Sequence, residues 1–311
     1  MSYHILHIMN RGSFLSVDNG FLVCTMPDKQ EKRIPLQDIR GIIAGIQGIG
    51  FSNECIARLL EQDSVILHCN NKYKPVGWSV SLDRVIRDEC FKNQINRNTI
   101  FENELWDKLI KHKMHHQSLV LDIMNCENPL KEIITHKKVD EGHVAKKYWQ
   151  HYFTGLGNPQ NREHQNAQSF ENIALNYSYA VIMTLVHRSI LIHGLLPSLG
   201  VHHSIKYRST PLVYDLLEPV RGFADLFLYN YQKWNKDDFN TKNLKLWVRY
   251  FSSNLKDCKI EYKNKKVKFI DAIDVYVNSV AQAFIEYNVD PVWIPDISNH
   301  LISKDNNESE E

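Results

Sequence analysis

Residues 169–194, SFENIALNYSYAVIMTLVHRSILIHG, are apolar on nearly every side of a helix. Such a helix is stable in water only when other elements enclose it, so the segment predicts a central pillar inside a helical domain. The enclosing material is present. FENELWDKLIKHKMHHQSLVLDIM at 101–124 and FIDAIDVYVNSVAQAFIEY at 269–287 carry a helical period, and CKIEYKNKKVKF at 258–269 reads as a short hairpin with a KNKK turn.

Before residue 80 the period is different. HILHIM, SFLSV, GFLVCTM, IRGIIA and VILHC are short β-type runs separated by NRG, DNG and PDKQ turn signals. Between the last two lies SNECIARLLEQD, where Ser52 is placed to cap a helix with apolar residues at 56, 59 and 60. The expected fold class is α+β. A small N-terminal β domain with an inserted helix covers 1–80, a linker covers 81–100, a larger all-α domain covers 101–290, and a C-terminal tail covers 291–311.

At 311 residues the chain is long enough for one large or two moderate domains. Its six cysteines, at 24, 55, 69, 90, 126 and 258, contain no CxxC pair, so they are read as core thiols rather than a zinc ribbon or disulfide framework. No stretch reaches the roughly 20 apolar residues of a membrane span, and the first residues lack a leader pattern, which gives a cytoplasmic expectation. The net charge of +1 hides an uneven distribution: 231–268 holds eleven Lys/Arg against four Asp/Glu, and 303–311 holds one Lys against four acids. The basic stretch is either a solvated face or a phosphate-binding surface; the acidic end reads as a disordered tail.

The chemistry concentrates in LGVHHSIKYRSTPLVYDLLEPVRG, 199–222. Asp215 and Glu218 are three apart, so a helix would present both carboxylates to one cation, although a solvated face with an Arg221–Asp225 pair fits the same spacing. Pro219 is expected to kink that helix. His202 and His203 follow GLLPSLG, where Pro197 and Gly200 are expected to end the preceding helix, and at most one of two adjacent loop histidines can share a site with the acids. In VDEGHVAKKYWQHYF, Glu141 heads a face continued by Ala145, Tyr148 and Tyr152, and it reads equally as a first-turn acid complementing the helix dipole. HKMHH at 112–116, with no third ligand nearby in sequence, reads as a solvated face. One imidazole with two or three carboxylates suits Mg²⁺ or Mn²⁺, ions fitted to phosphodiester chemistry. Nucleotide-binding P-loop, dinucleotide-binding, HExxH and GxSxG templates are missing.

LWDKLIKHKMHHQ (105–117), DEGHVAKKYW (140–149), LNYSYAVI (175–182), GLLPSLGVHHS (194–204) and LVYDLLEPVRGFAD (212–225) recur in an order that resembles the CRISPR-associated integrase of spacer acquisition, the Cas-one family. The GxHH form, the EPxR segment and the compact length look most like the type II branch that accompanies Cas-nine effectors. The resemblance implies a metal-dependent DNA endonuclease and integrase. Its metal ligands match Glu141, His203 and Glu218, with Asp215 as an auxiliary acid. The proline usual after the EPxR arginine is replaced by Gly222. It further implies double-stranded DNA as substrate, a homodimer formed through the β domain, and assembly with a Cas-two dimer and, in type II systems, Cas-nine. Lys138, Lys146, Lys206, Arg208 and Arg221 flank the ligands in sequence and are the candidate DNA contacts. His203→Ala is therefore expected to abolish strand transfer and His202→Ala to cost far less, a contrast read by assaying both variants on the same DNA.

Overall fold

The computed structural model of the chain describes residues 4–70, 75–82, 87–134, 140–164, 166–204, 206, 209–234 and 243–298. The strands and helices in chain order are β1 His4–Ile8, β2 Phe14–Asp18, β3 Phe21–Thr25, β4 Glu31–Pro35, β5 Ile39–Ala44, β6 Gly50–Phe51, α1 Asn53–Glu61, β7 Val65–Cys69 and β8 Pro75–Ser79. The helical part follows with α2 Asp88–Asn96, α3 Thr99–Ile123, α4 Leu130–Ile133, α5 Glu141–Gly155, α6 Phe170–Ile192, α7 Pro211–Leu217, α8 Gly222–Trp234 and α9 Leu244–Asp257. The hairpin β9 Lys259–Tyr262 and β10 Lys265–Lys268 then leads into α10 Phe269–Glu286. This is the expected α+β arrangement of a β-rich start and a mostly helical remainder.

Two four-stranded sheets make the first part, in the orders β1-β5-β7-β8 and β4-β3-β2-β6. Asn19 and Gly20, both at positive φ, form the tight turn that joins β2 to β3, the geometry that an Asn-Gly pair favours. Ser52 caps α1 by accepting the Cys55 N–H at 3.1 Å. Strand β4 (EKRIP) was not among the expected strands, because an edge strand carrying three charged residues lacks alternating hydrophobicity. Alternation along β5 and β7 sends Ile42 and Ile66 into a small core with Leu15, Leu22 and Leu59. Ile43 and Leu67 point the other way, into the helical core. The first sheet is thus covered on both faces, and its strands read as continuous apolar runs for that reason.

Helix α6 is the pillar foreseen from its composition, with 19 of its 23 residues buried. It lies against β5, β7, α7, α8, α9 and α10. Its polar residues stay internal by local bonding: Ser178 donates to the Ala174 carbonyl and Thr184 to the Ala180 carbonyl, each at 2.8 Å. The helix ends at Ile192, with Gly194 at φ 77°, earlier than expected, and Pro197 and Gly200, read as its stop, fall in the following loop.

Two expected boundaries are corrected. The segment 81–100, read as a linker, contains α2, which buries Cys90 and Gln94. Gln94 accepts the Leu196 N–H at 2.8 Å, tying α2 to the loop before the histidines. A short polar helix with two inward residues leaves no periodic signal. The start of the expected tail is also packed, with Val292, Ile294 and Ile297 buried. Lys108 donates to the Val289 carbonyl at 2.7 Å. The acidic end beyond 298 lies outside the described residues.

A buried carboxylate ties three helices together. Asp225 of α8 accepts Tyr148 Oη of α5 at 2.7 Å and Tyr179 Oη of α6, and its carbonyl accepts Tyr152 Oη at 2.8 Å. The solvated Arg221–Asp225 pair is thereby replaced by an internal knot. Burial pushes the Asp225 carboxyl up to about 6, against the hydrogen bonds of Tyr179 and Tyr148 and the fields of Arg162 and Arg221. The folded value lies above the unfolded one, so this group's contribution is full at low pH and declines as pH rises through that window. Between pH 4 and 7 the stability of the wild type relative to Asp225→Asn should fall by on the order of 2 to 3 kcal/mol. Urea unfolding of both proteins across that range measures it, and a pH-independent difference would show an ordinary carboxylate.

Candidate active site

The end of α7 sets the site. Pro219 has no N–H to continue an α-helix, so Glu218–Val220 tighten into a 3₁₀ turn before α8 restarts at Gly222. Asp215 and Glu218 are both buried, which overturns the solvated-face alternative for this pair. They also face different partners.

Asp215 organises the histidine loop. Its Oδ2 accepts the N–H groups of Val201 at 2.7 Å and His202 at 3.2 Å, and its Oδ1 accepts the His203 N–H at 3.1 Å. Gly200 is required here, because a Cβ on it would lie 2.6 Å from Asp215 Oδ2 and 2.7 Å from the His203 carbonyl. The same Oδ1 lies 2.6 Å from His203 Nδ1. A carboxylate only accepts, so Nδ1 is assigned the proton and Nε2 keeps its lone pair, the tautomer that a metal-binding imidazole needs. Asp215 therefore positions His203. His202 stacks flat on Trp106 with ring centroids 4.1 Å apart.

Glu141 stands in the first turn of α5, behind the Asp140 cap that accepts the Gly142 N–H at 2.9 Å. Its side chain is 38% exposed, and Oε1 lies 2.6 Å from Lys113 Nζ. The same ammonium lies 2.7 Å from Glu218 Oε2, and Arg221 holds Glu218 Oε1 at 2.9 Å. Oε2 is buried and is engaged by the Lys113 ammonium. Burial works to raise the Glu218 pKa, but Arg221, Lys113 and the field of His203 outweigh it and hold the carboxyl below its usual range.

The site thus joins Glu141 to Glu218 through Lys113, and His203 to Asp215. Lys113 was missed in the sequence because HKMHH read as a solvated face, whereas Lys113 and His116 are buried. The available signal was register: 105, 109, 113, 116 and 120 form one stripe of α3, all buried. His116 and His112 also acquire the third partner absent from their own stretch, Asp296. Gly222 sits beneath this stripe, where a Cβ would fall 2.9 Å from His116 Cβ. Among the flanking cations, Arg221 is committed to Glu218 and lies over the Tyr179 ring, Lys146 and Lys206 are exposed, and Lys138 and Arg208 lie outside the described residues.

Residues 6–253 match the family model described as CRISPR associated protein Cas1. The chain belongs to the Cas1 family. A relative from Neisseria meningitidis serogroup C, named CRISPR-associated endonuclease Cas1, is 26% identical over 304 residues, covering 96% of this chain and 97% of that one. Among solved structures, a casposase bound to an integration product superposes with TM-score 0.78 at 19% identity, covering 94% of each chain. A Cas6-RT-Cas1–Cas2 complex gives TM-score 0.71 at 15% identity over 94% of this chain and 36% of that one. A TtCas1–DNA complex gives 0.55 at 12% identity over 89% and 90%. This Cas1 is accordingly an endonuclease or integrase of CRISPR systems, and its fold is that of these structures.

The donor types suit a hard divalent ion: two carboxylates gathered on one ammonium, and an imidazole whose proton is on Nδ1. Lys113 bridges the two carboxylates. Lys113→Met should destabilise the protein by about 3 kcal/mol in EDTA, the low end for breaking a buried pair because Arg221 remains. Urea unfolding should show that deficit shrinking on addition of Mn²⁺; an unchanged stability would deny Lys113 this role.

Proposed function

We propose that this Cas1 joins the 3′-hydroxyl of a short DNA duplex to a backbone phosphate at the repeat border of a CRISPR array, by metal-dependent transesterification. The observation that carries this reading is the meeting of Glu141 and Glu218 around one cationic group, Lys113 Nζ, in a chain where Asp215 presents His203 with Nε2 open. Glu141, His203 and Glu218 would hold Mg²⁺ or Mn²⁺, which supplies the Lewis acidity that activates a hydroxyl and neutralises phosphate charge. Asp215 keeps the imidazole in register. Arg221 holds Glu218 ionised and oriented, and Glu141 closes the site on its solvent side. Lys113, once separated from either carboxylate, is placed to neutralise a phosphate oxygen. One phosphodiester replaces another, so positioning and charge account for the rate, with neither ATP nor a covalent enzyme intermediate.

The likeness to the TtCas1–DNA complex supports DNA as the partner, double-stranded by the family resemblance, and the likeness to the complex containing Cas2 supports assembly with a Cas2 dimer. The remaining partners, a second copy docked through the β-rich part and Cas9, follow from the type II resemblance. Lys146, Lys206 and the basic residues of α9 and the β9–β10 hairpin would track the DNA backbone, which makes affinity fall steeply with salt.

The name endonuclease carried by the Neisseria relative favours a second reading, cleavage without joining, in which water replaces the 3′-hydroxyl. A labelled 3′-hydroxyl duplex incubated with a supercoiled plasmid bearing the array separates the two. Label should move to the plasmid in Mg²⁺ or Mn²⁺, disappear with EDTA, and disappear in Glu141→Ala while its circular dichroism is unchanged. Cleavage without transfer supports the second reading, and indifference to EDTA would leave only a DNA-binding scaffold.

A further inference from the structure

We propose that His112, His116 and Asp296 form a second metal site, for a divalent transition ion of the zinc type, which clamps the C-terminal segment 289–298 onto α3. One ligand atom of each residue lies within 4.8 Å of the others. His112 and His116 are one helical turn apart with ring centroids 4.3 Å apart, and His116 Nε2 lies 3.8 Å from Asp296 Oδ1. Ligand atoms on a tetrahedral zinc ion stand about 3.4 Å apart, so closure requires the longest edge to shorten by at most about 1.4 Å, shared among the side chains.

The hydrogen bonds fix the tautomers that such an ion would meet. His112 Nε2 lies 3.1 Å from the Pro295 carbonyl, which only accepts, so the proton sits on Nε2 and Nδ1 is a free donor atom. His116 Nε2 accepts the Ile297 N–H at 3.2 Å, so the ring proton sits on Nδ1, toward the Pro219 carbonyl, and a bound ion would take over the Nε2 lone pair from that N–H. The His116 ring is 1% exposed. Asp296 Oδ1 accepts the Ser298 N–H at 2.8 Å, while Oδ2 lies 3.5 Å from His115 Nε2, a fourth donor at the rim. Desolvation lowers the pKa of both His112 and His116, favouring the neutral ligating form.

Two or three imidazoles with one carboxylate select zinc-type ions over Mg²⁺. A groove of about 640 Å³, lined by residues that include Lys108, His112, His115 and Trp293, gives the ion an entry path. The site shares α3 with Lys113 but none of the groups proposed to act on DNA, so it stands whether or not the integrase reading holds.

The test is a Zn²⁺ titration of the full chain, stripped with EDTA, in competition with a chromophoric chelator. In Glu141→Ala, where the Glu141–His203–Glu218 site is disabled, one equivalent should bind at micromolar Kd or tighter and raise the Tm. His112→Gln/Asp296→Asn added to that background should weaken binding at least about 100-fold and remove the Tm rise. Asp296→Asn alone, a part-exposed and nearly isosteric change, keeps the test decisive if the double variant fails to fold. Binding of less than one equivalent to Glu141→Ala, or binding to it that these further substitutions leave unchanged, would overturn the site.

Discussion

A single ammonium, that of Lys113, lets two carboxylates from distant parts of the chain share one partly buried corner. Its arms to Glu141 and Glu218 are 2.6 and 2.7 Å. Two carboxylates roughly 5 Å apart repel by about 3 kcal/mol at the effective dielectric of such sites. An interposed cation turns that repulsion into two attractions, and it fixes the start of α5 against the 3₁₀ turn that follows α7. Replacing the ammonium by a divalent ion doubles the charge in nearly the same place. The arrangement is therefore compatible with either cation in the same electrostatic niche.

The second constraint is the Asp225 knot behind this corner. Tyr148 lies on α5 seven residues after Glu141, and Asp225 lies on α8 seven residues after Glu218, so their bond at 2.7 Å fixes the two carboxylate-bearing elements from behind. Tyr179 adds α6 to the same carboxylate. Burial that raises the Asp225 pKa is thus accepted where it makes three helices meet in a single arrangement. Asp215 does the equivalent for the loop, gathering three consecutive backbone N–H groups and one imidazole.

What the sequence disclosed and what it concealed follow from the range of the interactions. The α6 pillar, the Ser52 cap and the Asn19-Gly20 turn depend on neighbours in the chain, and each was legible. Glu141, His203 and Glu218 could be named only through the ordered motifs, since residue types alone left each of them a polar surface reading. Lys113 was illegible because its partners lie 28 and 105 residues downstream, and a lysine in a His-rich stretch resembles solvated surface. Asp296 and the buried residues of 292–297 were hidden for a related reason. Three aliphatic residues without a period carry no local signal, although α3 offers them a groove.

The departure at Gly222 becomes intelligible in these terms. Lys113 and His116 are three apart on α3, and they meet Glu218 and Gly222, four apart across the 3₁₀ turn. Lys113 anchors one end of the turn by charge; His116 covers the other end so closely that any Cβ would collide with it. A proline at 222 would put its ring into the same space, so the bulky imidazole at 116 and the bare backbone at 222 form one packing solution. His116 in turn receives the Ile297 N–H, which carries the constraint to the C-terminal segment. The register of α3 therefore governs both the 3₁₀ turn and the packed segment 292–297 through residues on one stripe, so a change at 116 would be felt at Glu218 without touching Glu141 or His203.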